Sequence, residues 1–234
     1  MRDRPAVAHP RSALLRASFS VDVVILTPRS QQLAVLFRRL RDAKVRERLE
    51  LPWENVRTGE VLEDVARRLI REVAHVEPAW MEQVGAFADG KRGASDAELS
   101  ICYVAVIAQG ADARADDECT WIAAGESPSA LSPRQRVMLD RALGMLRARM
   151  DHAPIAFRLL PNVFTLSDLQ QTYELLLGRR LHKASFRRAL QAAFLVEPTD
   201  SWRSEGRGRP AQLFRYAPKR RRGGRRGVRF DLLT

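Results

Sequence analysis

Hydrophobic and polar positions along the first two thirds of the chain repeat with two different periods. In some segments, apolar residues alternate with polar ones or form short β-branched runs, and in others they recur at three- and four-residue steps. These patterns are typical of strands and of amphipathic helices, respectively. They predict strands at 20–26, 32–37, 80–87 and 100–108 and helices at 61–73 and 133–150. Strands that alternate with helices indicate a layered α/β domain.

The last third of the chain follows a different pattern. Residues 164–177 predict a helix with Thr165 as its N-cap and Asp168 in the capping-box position. Residues 183–194 predict a second, basic helix, and its core face comprises Phe186, Leu190 and Phe194. A two-stranded ribbon is predicted over 196–216. Helix, turn, basic helix and ribbon is the order of a winged helix-turn-helix, an α+β domain.

Positive charge is concentrated at the C-terminal end. Residues 152–234 hold 17 of the 40 Lys and Arg residues and 6 of the 28 Asp and Glu residues, which is +11 of the chain's net +12. Such a segment indicates a polyanion partner, which can be DNA, RNA or an anionic membrane. No apolar run reaches about 18 residues, so no membrane span is predicted. The two cysteines lack zinc-ligand spacing, and we expect a cytoplasmic protein without a resident metal or cofactor.

Residues 51–76 (LPWENVRTGEVLEDVARRLIREVAHV) resemble the Nudix box of diphosphate hydrolases. The positions that fit the box include Glu60, Arg68 and Glu72, and its two glycines are replaced by Glu54 and His75. Leu69 and Val73 replace two of its glutamates. The reaction needs Mg²⁺, which takes several carboxylates from one helix face, and Glu72 alone remains. The resemblance implies a Nudix-like α/β/α sandwich with a mixed sheet, and it argues against hydrolysis. The alternative interpretation is a generic amphipathic helix with charged flanks.

A pocket in such a domain can still recognise a nucleotide sugar, because binding ribose and adenine does not require the lost glutamates. The end of the second strand and the loop at 87–92 occupy places where related domains contact their ligand. The candidate lining residues are Arg38, Arg39, Phe87, Asp89 and Arg92. Arginines would replace the missing metal charge opposite a diphosphate. The alternative is that these are ordinary surface charges.

Residues 153–216 resemble the C-terminal domain of the NrtR-type Nudix-related transcriptional regulators. The residues that carry the resemblance include Leu159-Leu160-Pro161, Phe164-Thr165-Leu166-Ser167-Asp168-Leu169-Gln170, Tyr173-Glu174, Phe186-Arg187-Arg188 and Gly208-Arg209-Pro210-Ala211. The resemblance implies a homodimer on a palindromic double-stranded operator, ADP-ribose or a relative as effector, and control of NAD metabolism genes.

Basic residues of the second helix and of the ribbon tip are the candidate DNA contacts. In the helix they are Lys183, Arg187 and Arg188 together with Ser185, which stands where the family often has Asn. A helix that presents basic residues at its N-terminal end suits the major groove. At the tip, Arg207 and Arg209, with Arg203 beside them, are placed to reach phosphate or the minor groove. The alternative is a solvated basic face on a protein-interaction domain.

The sequence therefore predicts four segments. They are a flexible tail (1–17), a Nudix-like sensing domain (18–151), a winged helix-turn-helix (152–217) and a basic tail (218–234). The predicted function is a transcriptional regulator, expected to be a repressor, that is not an enzyme. The alternative is a divergent Nudix hydrolase of nucleoside diphosphate derivatives with a nucleic-acid-binding tail.

Overall fold

The computed structural model describes residues 18–40, 48–88, 97–108, 118–126, 131–151, 153–204 and 210–218. The strands are β1 (Phe19–Arg29), β2 (Gln32–Leu40), β3 (Arg48–Glu50), β4 (Trp53–Asn55), β5 (Trp80–Phe87), β6 (Leu99–Val106), β7 (Cys119–Ala123), β8 (Val163–Phe164), β9 (Val196–Arg203) and β10 (Ala211–Tyr216). The helices are α1 (Leu62–Ala74), α2 (Pro133–Arg149), α3 (Ile155–Arg158), α4 (Leu166–Leu177) and α5 (Lys183–Ala193). None of the helices in these ranges is long and apolar enough to cross a membrane.

Seven strands form a mixed sheet in the N-terminal part of the chain. Its order is β3-β2-β1-β6-β5, with β4 also paired to β1 and β7 to β2. Strands β1 and β6 are parallel, from Phe19 opposite Leu99 to Leu26 opposite Val106, and the other pairs are antiparallel. This arrangement confirms the predicted mixed α/β sheet.

The two central strands, β1 and β6, are buried on both faces, which suits their largely apolar sequences. Val21, Val23 and Ile25 of β1 pack with α1, whereas Val24 and Leu26 belong to the core on the side of α2. Successive strand residues point to opposite faces, so one strand supplies both cores. The result is the expected sandwich, with a helix on each side of the sheet.

The C-terminal part is a winged helix. Helices α3, α4 and α5 pack against a three-stranded sheet of order β8-β10-β9. Aromatic rings fill its interior: Phe157 lies 4.4 Å from Tyr216 and 6.2 Å from Tyr173, and Tyr173 lies 5.5 Å from Phe186, between ring centroids. Its core is continuous with the apolar residues on the α2 side of the large sheet.

Several elements differ from the sequence prediction. The short strands β3, β4, β7 and β8 and the single-turn helix α3 were missed, because segments of two to five residues carry no readable periodicity. Phe194, predicted to face the core, is 49% exposed. Helix α5 ends at Ala193, and Phe194 takes the left-handed conformation at φ 51°, which breaks the helical period. Val137, an apolar residue of α2, is also exposed.

Candidate nucleic-acid interface and effector site

The helix-turn-helix begins with a complete capping box. Thr165 Oγ1 accepts a hydrogen bond from the Asp168 N–H at 3.1 Å, and Asp168 Oδ2 accepts one from the Thr165 N–H at 2.9 Å. This confirms the predicted start of α4, where both side chains satisfy amide groups that have no partner within the helix.

The turn between α4 and α5 is fixed by side chains of α4. The helix ends at Gly178, whose φ of 69° is the left-handed conformation that glycine adopts without strain. Glu174 Oε1 accepts hydrogen bonds from the Leu181 N–H at 2.9 Å and from Gln170 Nε2 at 3.0 Å. Gln170 Nε2 also donates to the Leu181 carbonyl at 3.0 Å. These contacts set the direction in which α5 leaves the turn.

Helix α5 presents a basic outer face. Phe186 and Leu190 are buried, and Lys183, Arg187 and Arg188 are exposed. Within the described residues, the structure records no carboxylate paired with any of these three cations. The positive charge at the start of α5 is therefore available to an anionic partner.

The other predicted DNA contacts are placed differently. Ser185 is half-buried, and its Oγ lies 3.2 Å from Nδ1 of His182, the N-cap of α5. Arg207 and Arg209 lie outside the described residues. Arg203, the last residue of β9, points its guanidinium back at Asp168.

The Nudix-box residues form an ion-pair network. Arg68 donates to Glu54 at 2.9 and 3.2 Å and to Glu60 at 2.8 Å. The hydrogen bonds that Arg68 donates to Glu54, and then the one to Glu60, raise the pKa of Arg68. The Arg57 N–H, which donates to Glu60 at 2.8 Å, and Arg68 together lower the pKa of Glu60. Two carboxylates of the box are therefore held by an arginine.

The remaining box positions do not fit a Mg²⁺ site. Leu69 and Val73 are 0% and 3% exposed in the core between α1 and the sheet, and Glu72 lies on the exposed side of the helix. No cluster of three or more His, Cys, Asp or Glu suited to a metal occurs in the part of the chain that the structure describes. Apolar side chains at positions 69 and 73 cannot ligate a hard cation, which needs oxygen ligands.

His75 occupies one of the positions at which the sequence departs from the Nudix box. It follows α1 in the left-handed conformation, with φ 56°, and its N–H donates to the Arg71 carbonyl at 3.0 Å. The box has a glycine at this position, which suits that backbone conformation. His75 is exposed and acts as the helix C-cap.

The three predicted ligand-lining residues that the structure describes lie on two strands, Arg38 and Arg39 on β2 and Phe87 on β5. Arg38 and Arg39 are consecutive in β2, so their side chains leave opposite faces of the sheet. Arg38 is half-buried and donates to the Trp53 carbonyl at 3.0 Å. Phe87 is 3% exposed on β5, with the Arg141 guanidinium 5.4 Å from its ring centroid, which leaves little of the ring for a ligand. Asp89 and Arg92 lie outside the described residues.

Comparison with known proteins identifies the C-terminal part and the overall architecture. The family model of the NrtR DNA-binding winged helix domain matches residues 156–216. The ADPR responsive transcriptional repressor NtrR of Acinetobacter baylyi is 26% identical over 204 residues, which cover 85% of this chain and 81% of that protein. The structure of Shewanella oneidensis NrtR matches with a TM-score of 0.69 at 26% identity, covering 86% of this chain and 94% of that one. The chain is thus similar to NrtR-type Nudix-related regulators over most of its length, and residues 156–216 match their winged helix domain.

Two further solved structures are similar to this chain. Shewanella oneidensis NrtR in complex with a 27mer DNA matches with a TM-score of 0.68 at 28% identity, over 86% of this chain and 94% of that one. A MutT/nudix family protein from Enterococcus faecalis matches with a TM-score of 0.67 at 19% identity, covering 86% of this chain and 88% of that one. The latter match shows the fold alone, and it agrees with the Nudix-like sandwich described above.

Sequence reasoning missed a buried polar cluster at the start of α2. Arg134 is 6% exposed and donates to the carbonyls of Ala97 at 3.0 Å and Ala88 at 3.3 Å, which flank the predicted ligand loop. Gln135 is 1% exposed and contacts both backbone polar groups of Leu51 at 3.4 and 3.5 Å. Polar residues at the first turn of a helix read as solvent-facing in the sequence, so no local signal marked them. Helix α2 thus joins Leu51 of the Nudix-box segment to Ala88 and Ala97.

The opposite end of α2 meets the NrtR winged helix. Leu146 and Met150 belong to the same core as Leu169 and Tyr173 of α4. A cleft of about 550 Å³ opens beside this contact, lined by residues of the β1–β2 turn, of the end of β7 and of the helix-turn-helix turn. One helix therefore contacts both the candidate effector region and the candidate DNA-binding module.

Proposed function

We propose that this protein is a transcriptional regulator, a repressor that binds operator DNA through α5 and responds to ADP-ribose or a related nucleotide through its Nudix-like domain. The observation that carries the proposal is the unpaired basic face of α5, presented by a capped helix-turn-helix inside the NrtR winged helix. The described relatives support it, since one is an ADPR responsive transcriptional repressor and another was crystallised with DNA.

The position of the basic residues on α5 suits a helix that contacts bases in the major groove. Arg187 and Arg188 lie on the solvent side of α5 in its first two turns, and Phe186 between them and Lys183 anchors the helix in the core. An arginine in this position pairs with the two acceptors of guanine and supplies about 1–3 kcal/mol of discrimination. Arg207 and Arg209 are proposed as backbone or minor-groove contacts of the wing.

We further propose that the Nudix-like domain binds its nucleotide without hydrolysing it. Leu69 and Val73 bury the face where the metal ligands would stand, and Arg68 holds Glu54 and Glu60. Arg38, Arg39, Asp89 and Arg92 remain proposed ligand contacts. We also propose a cytoplasmic homodimer on a palindromic site, and NAD metabolism genes as targets. A divergent hydrolase remains the alternative, and turnover with Mg²⁺ or Mn²⁺ that vanishes in Glu72→Gln would favour it.

The test begins with selection of bound DNA from a random pool by the full-length protein. Binding of the selected sequence and of a scrambled duplex is then measured with Arg187→Ala/Arg188→Ala. The matched control is Arg67→Ala/Arg71→Ala, which removes the same charge from the exposed side of α1. We expect the α5 variant to lose roughly tenfold or more in affinity and to lose sequence preference, and the control to retain both. Equal, selective binding by the α5 variant would contradict the proposal.

A further inference from the structure

Arg203 and Asp168 join the wing to the first helix of the helix-turn-helix. Arg203 is the last residue of β9 and pairs with Ala211, the first residue of β10, so it stands at the base of the wing loop. Its Nη2 atom lies 2.8 Å from both carboxylate oxygens of Asp168. The two residues are 35 positions apart in sequence, and the pattern of arginines alone grouped Arg203 with the DNA contacts of the tip.

Asp168 serves two elements with one carboxylate. Oδ2 accepts the Thr165 N–H at 2.9 Å and thereby closes the start of α4, and the same oxygen accepts from Arg203 at 2.8 Å. Burial opposes ionisation of Asp168, but the Arg203 guanidinium and the Thr165 N–H outweigh it and lower the pKa of the carboxyl. The side chains of Asp168 and Arg203 are 29% and 39% exposed. The pair is therefore charged at neutral pH and partly screened from solvent.

The half of the ribbon nearest Arg203 lies beyond the pairing with β8, and its two strands are joined by Thr199, whose Oγ1 donates to the Leu213 carbonyl at 3.0 Å. Strand β8 pairs with β10 at Phe214 and Arg215, near the inner end of the ribbon. The register between β9 and β10 shifts between Gln212 and Phe214, so the regular ladder is interrupted before the wing. Trp202, next to Arg203, is 56% exposed. The Arg203–Asp168 pair joins this half of the ribbon to α4.

We propose that Asp168 is a positioning residue for DNA recognition and that Arg203 is its structural partner. Together they fix the direction of the wing relative to α4 and α5. This inference rests on the proposed DNA-binding function. Arg207 and Arg209 follow Arg203 in the sequence, so the direction in which β9 ends bears on whether these cations meet the same duplex that α5 reads.

Whether Asp168→Asn strengthens or weakens DNA binding distinguishes a positioning role of Asp168 from a direct effect of its charge. Asp168 is an anion, and its neutralisation removes repulsion toward DNA phosphates. If charge alone mattered, Asp168→Asn would bind DNA more tightly. If the pair positions the wing, the same variant binds more weakly. Asparagine keeps an oxygen for the Thr165 N–H, so the capping contact of α4 survives the exchange.

The experiment compares Asp168→Asn, Arg203→Gln, their double variant and Arg203→Lys in the full-length protein. The matched control is Arg215→Gln, which breaks an ion pair with Glu197 inside the same ribbon and does not touch α4. Affinity for the selected DNA is measured at several salt concentrations. Amide hydrogen exchange of residues 196–203 and 211–216 is measured on the free protein.

We expect Asp168→Asn and Arg203→Gln each to weaken DNA binding by about two- to fivefold with an unchanged salt slope. The double variant should bind DNA no more weakly than the weaker-binding single variant. Arg203→Lys should bind DNA more tightly than Arg203→Gln. Exchange near the wing should speed up in both single variants and stay unchanged in Arg215→Gln.

Two results would overturn the proposal. One is unchanged exchange in both single variants. The other is tighter binding by Asp168→Asn combined with a salt slope reduced by about 0.9 in Arg203→Gln, which would mark Arg203 as a phosphate contact. Hydrogen exchange is measured without DNA, so it tests whether the Arg203–Asp168 pair holds the ribbon even if the wild-type protein binds no DNA. Failure of the wild-type protein to bind DNA would contradict the proposed function alone.

Discussion

Replacing Glu174 by Ala should loosen the turn between α4 and α5 and weaken DNA binding with it. The carboxylate accepts hydrogen bonds from the Leu181 N–H at 2.9 Å, from Gln170 at 3.0 Å and from Arg180 at 3.1 Å. Its side chain is 11% exposed, so water replaces few of these contacts. Leu181 itself is buried at the start of α5. Loss of these hydrogen bonds should therefore change the position of α5, the basic helix.

The magnitude follows from the partners. Hydrogen bonds to a charged group contribute about 1.5–3 kcal/mol, whereas the pair with Arg180, whose side chain is 91% exposed, contributes about 0–1 kcal/mol. We expect Glu174→Ala to lower the free energy of unfolding by about 2–3 kcal/mol, or roughly 4–12 °C in Tm. Glu174→Gln keeps one oxygen for the Leu181 N–H and should cost about 1 kcal/mol.

The effect of Glu174 should also depend on pH. Burial opposes ionisation of Glu174, but the Leu181 N–H, Gln170 and Arg180 outweigh it and lower the pKa of the carboxyl below its ordinary value of 4.5. A carboxyl with a lowered pKa stabilises the fold above its unfolded pKa, and this stabilisation is lost as pH falls through the folded value. The stability difference between wild type and Glu174→Ala should therefore be constant at neutral pH and shrink below about pH 4.

Urea unfolding followed by circular dichroism, with exchange of the Leu181 amide as a local probe, measures both effects. Arg180→Ala is the control and should change stability by less than about 0.5 kcal/mol. If Glu174→Ala unfolds within about 0.5 kcal/mol of wild type and Leu181 stays protected, the turn is held by other contacts and our reasoning about Glu174 is wrong.

Three further outcomes are expected. Phe186→Ala should cost about 3–5 kcal/mol in urea unfolding, because the ring is fully buried against Tyr173; a loss below about 1 kcal/mol would contradict the packing. Leu69→Glu should destabilise by several kcal/mol without creating Mg²⁺-dependent turnover of ADP-ribose, since it buries a carboxylate; a stable variant with turnover would contradict our interpretation of α1. Arg134→Met should lower stability by about 1–3 kcal/mol, because two carbonyls lose their donor, and an unchanged Tm would argue against that role.

The features that the sequence predicted well depend on local spacing. Thr165 and Asp168 form their capping box because the two residues are three apart, and the apolar face of α1 follows from the helical period. The order of elements over residues 164–216 and the positive charge of residues 152–234 indicated the winged helix, since both follow directly from the sequence without knowledge of tertiary contacts.

Long-range pairings were not predictable in this way. Arg203 meets Asp168 across 35 residues, and Arg68 meets Glu54 across 14. From sequence alone, an arginine near a wing can equally be a DNA contact or the ion-pair partner of a carboxylate. Only the fold determines which carboxylate lies beside it. Phe87 likewise follows the loop pattern of a ligand contact, but its position on β5 places it in the core. Arg134 is the opposite case, because a charged residue is expected at the surface but the fold buries this one.

The central claim is that one chain couples nucleotide binding to sequence-specific DNA binding without hydrolysis. The most direct test titrates the selected duplex with the full-length protein, with and without ADP-ribose, and follows the nucleotide by chromatography in the same samples. Our account predicts specific binding, a change in DNA affinity of roughly fivefold or more when ADP-ribose is present, and ADP-ribose recovered intact. DNA affinity that is insensitive to ADP-ribose, or ADP-ribose converted to products by the wild-type protein with Mg²⁺, would contradict it.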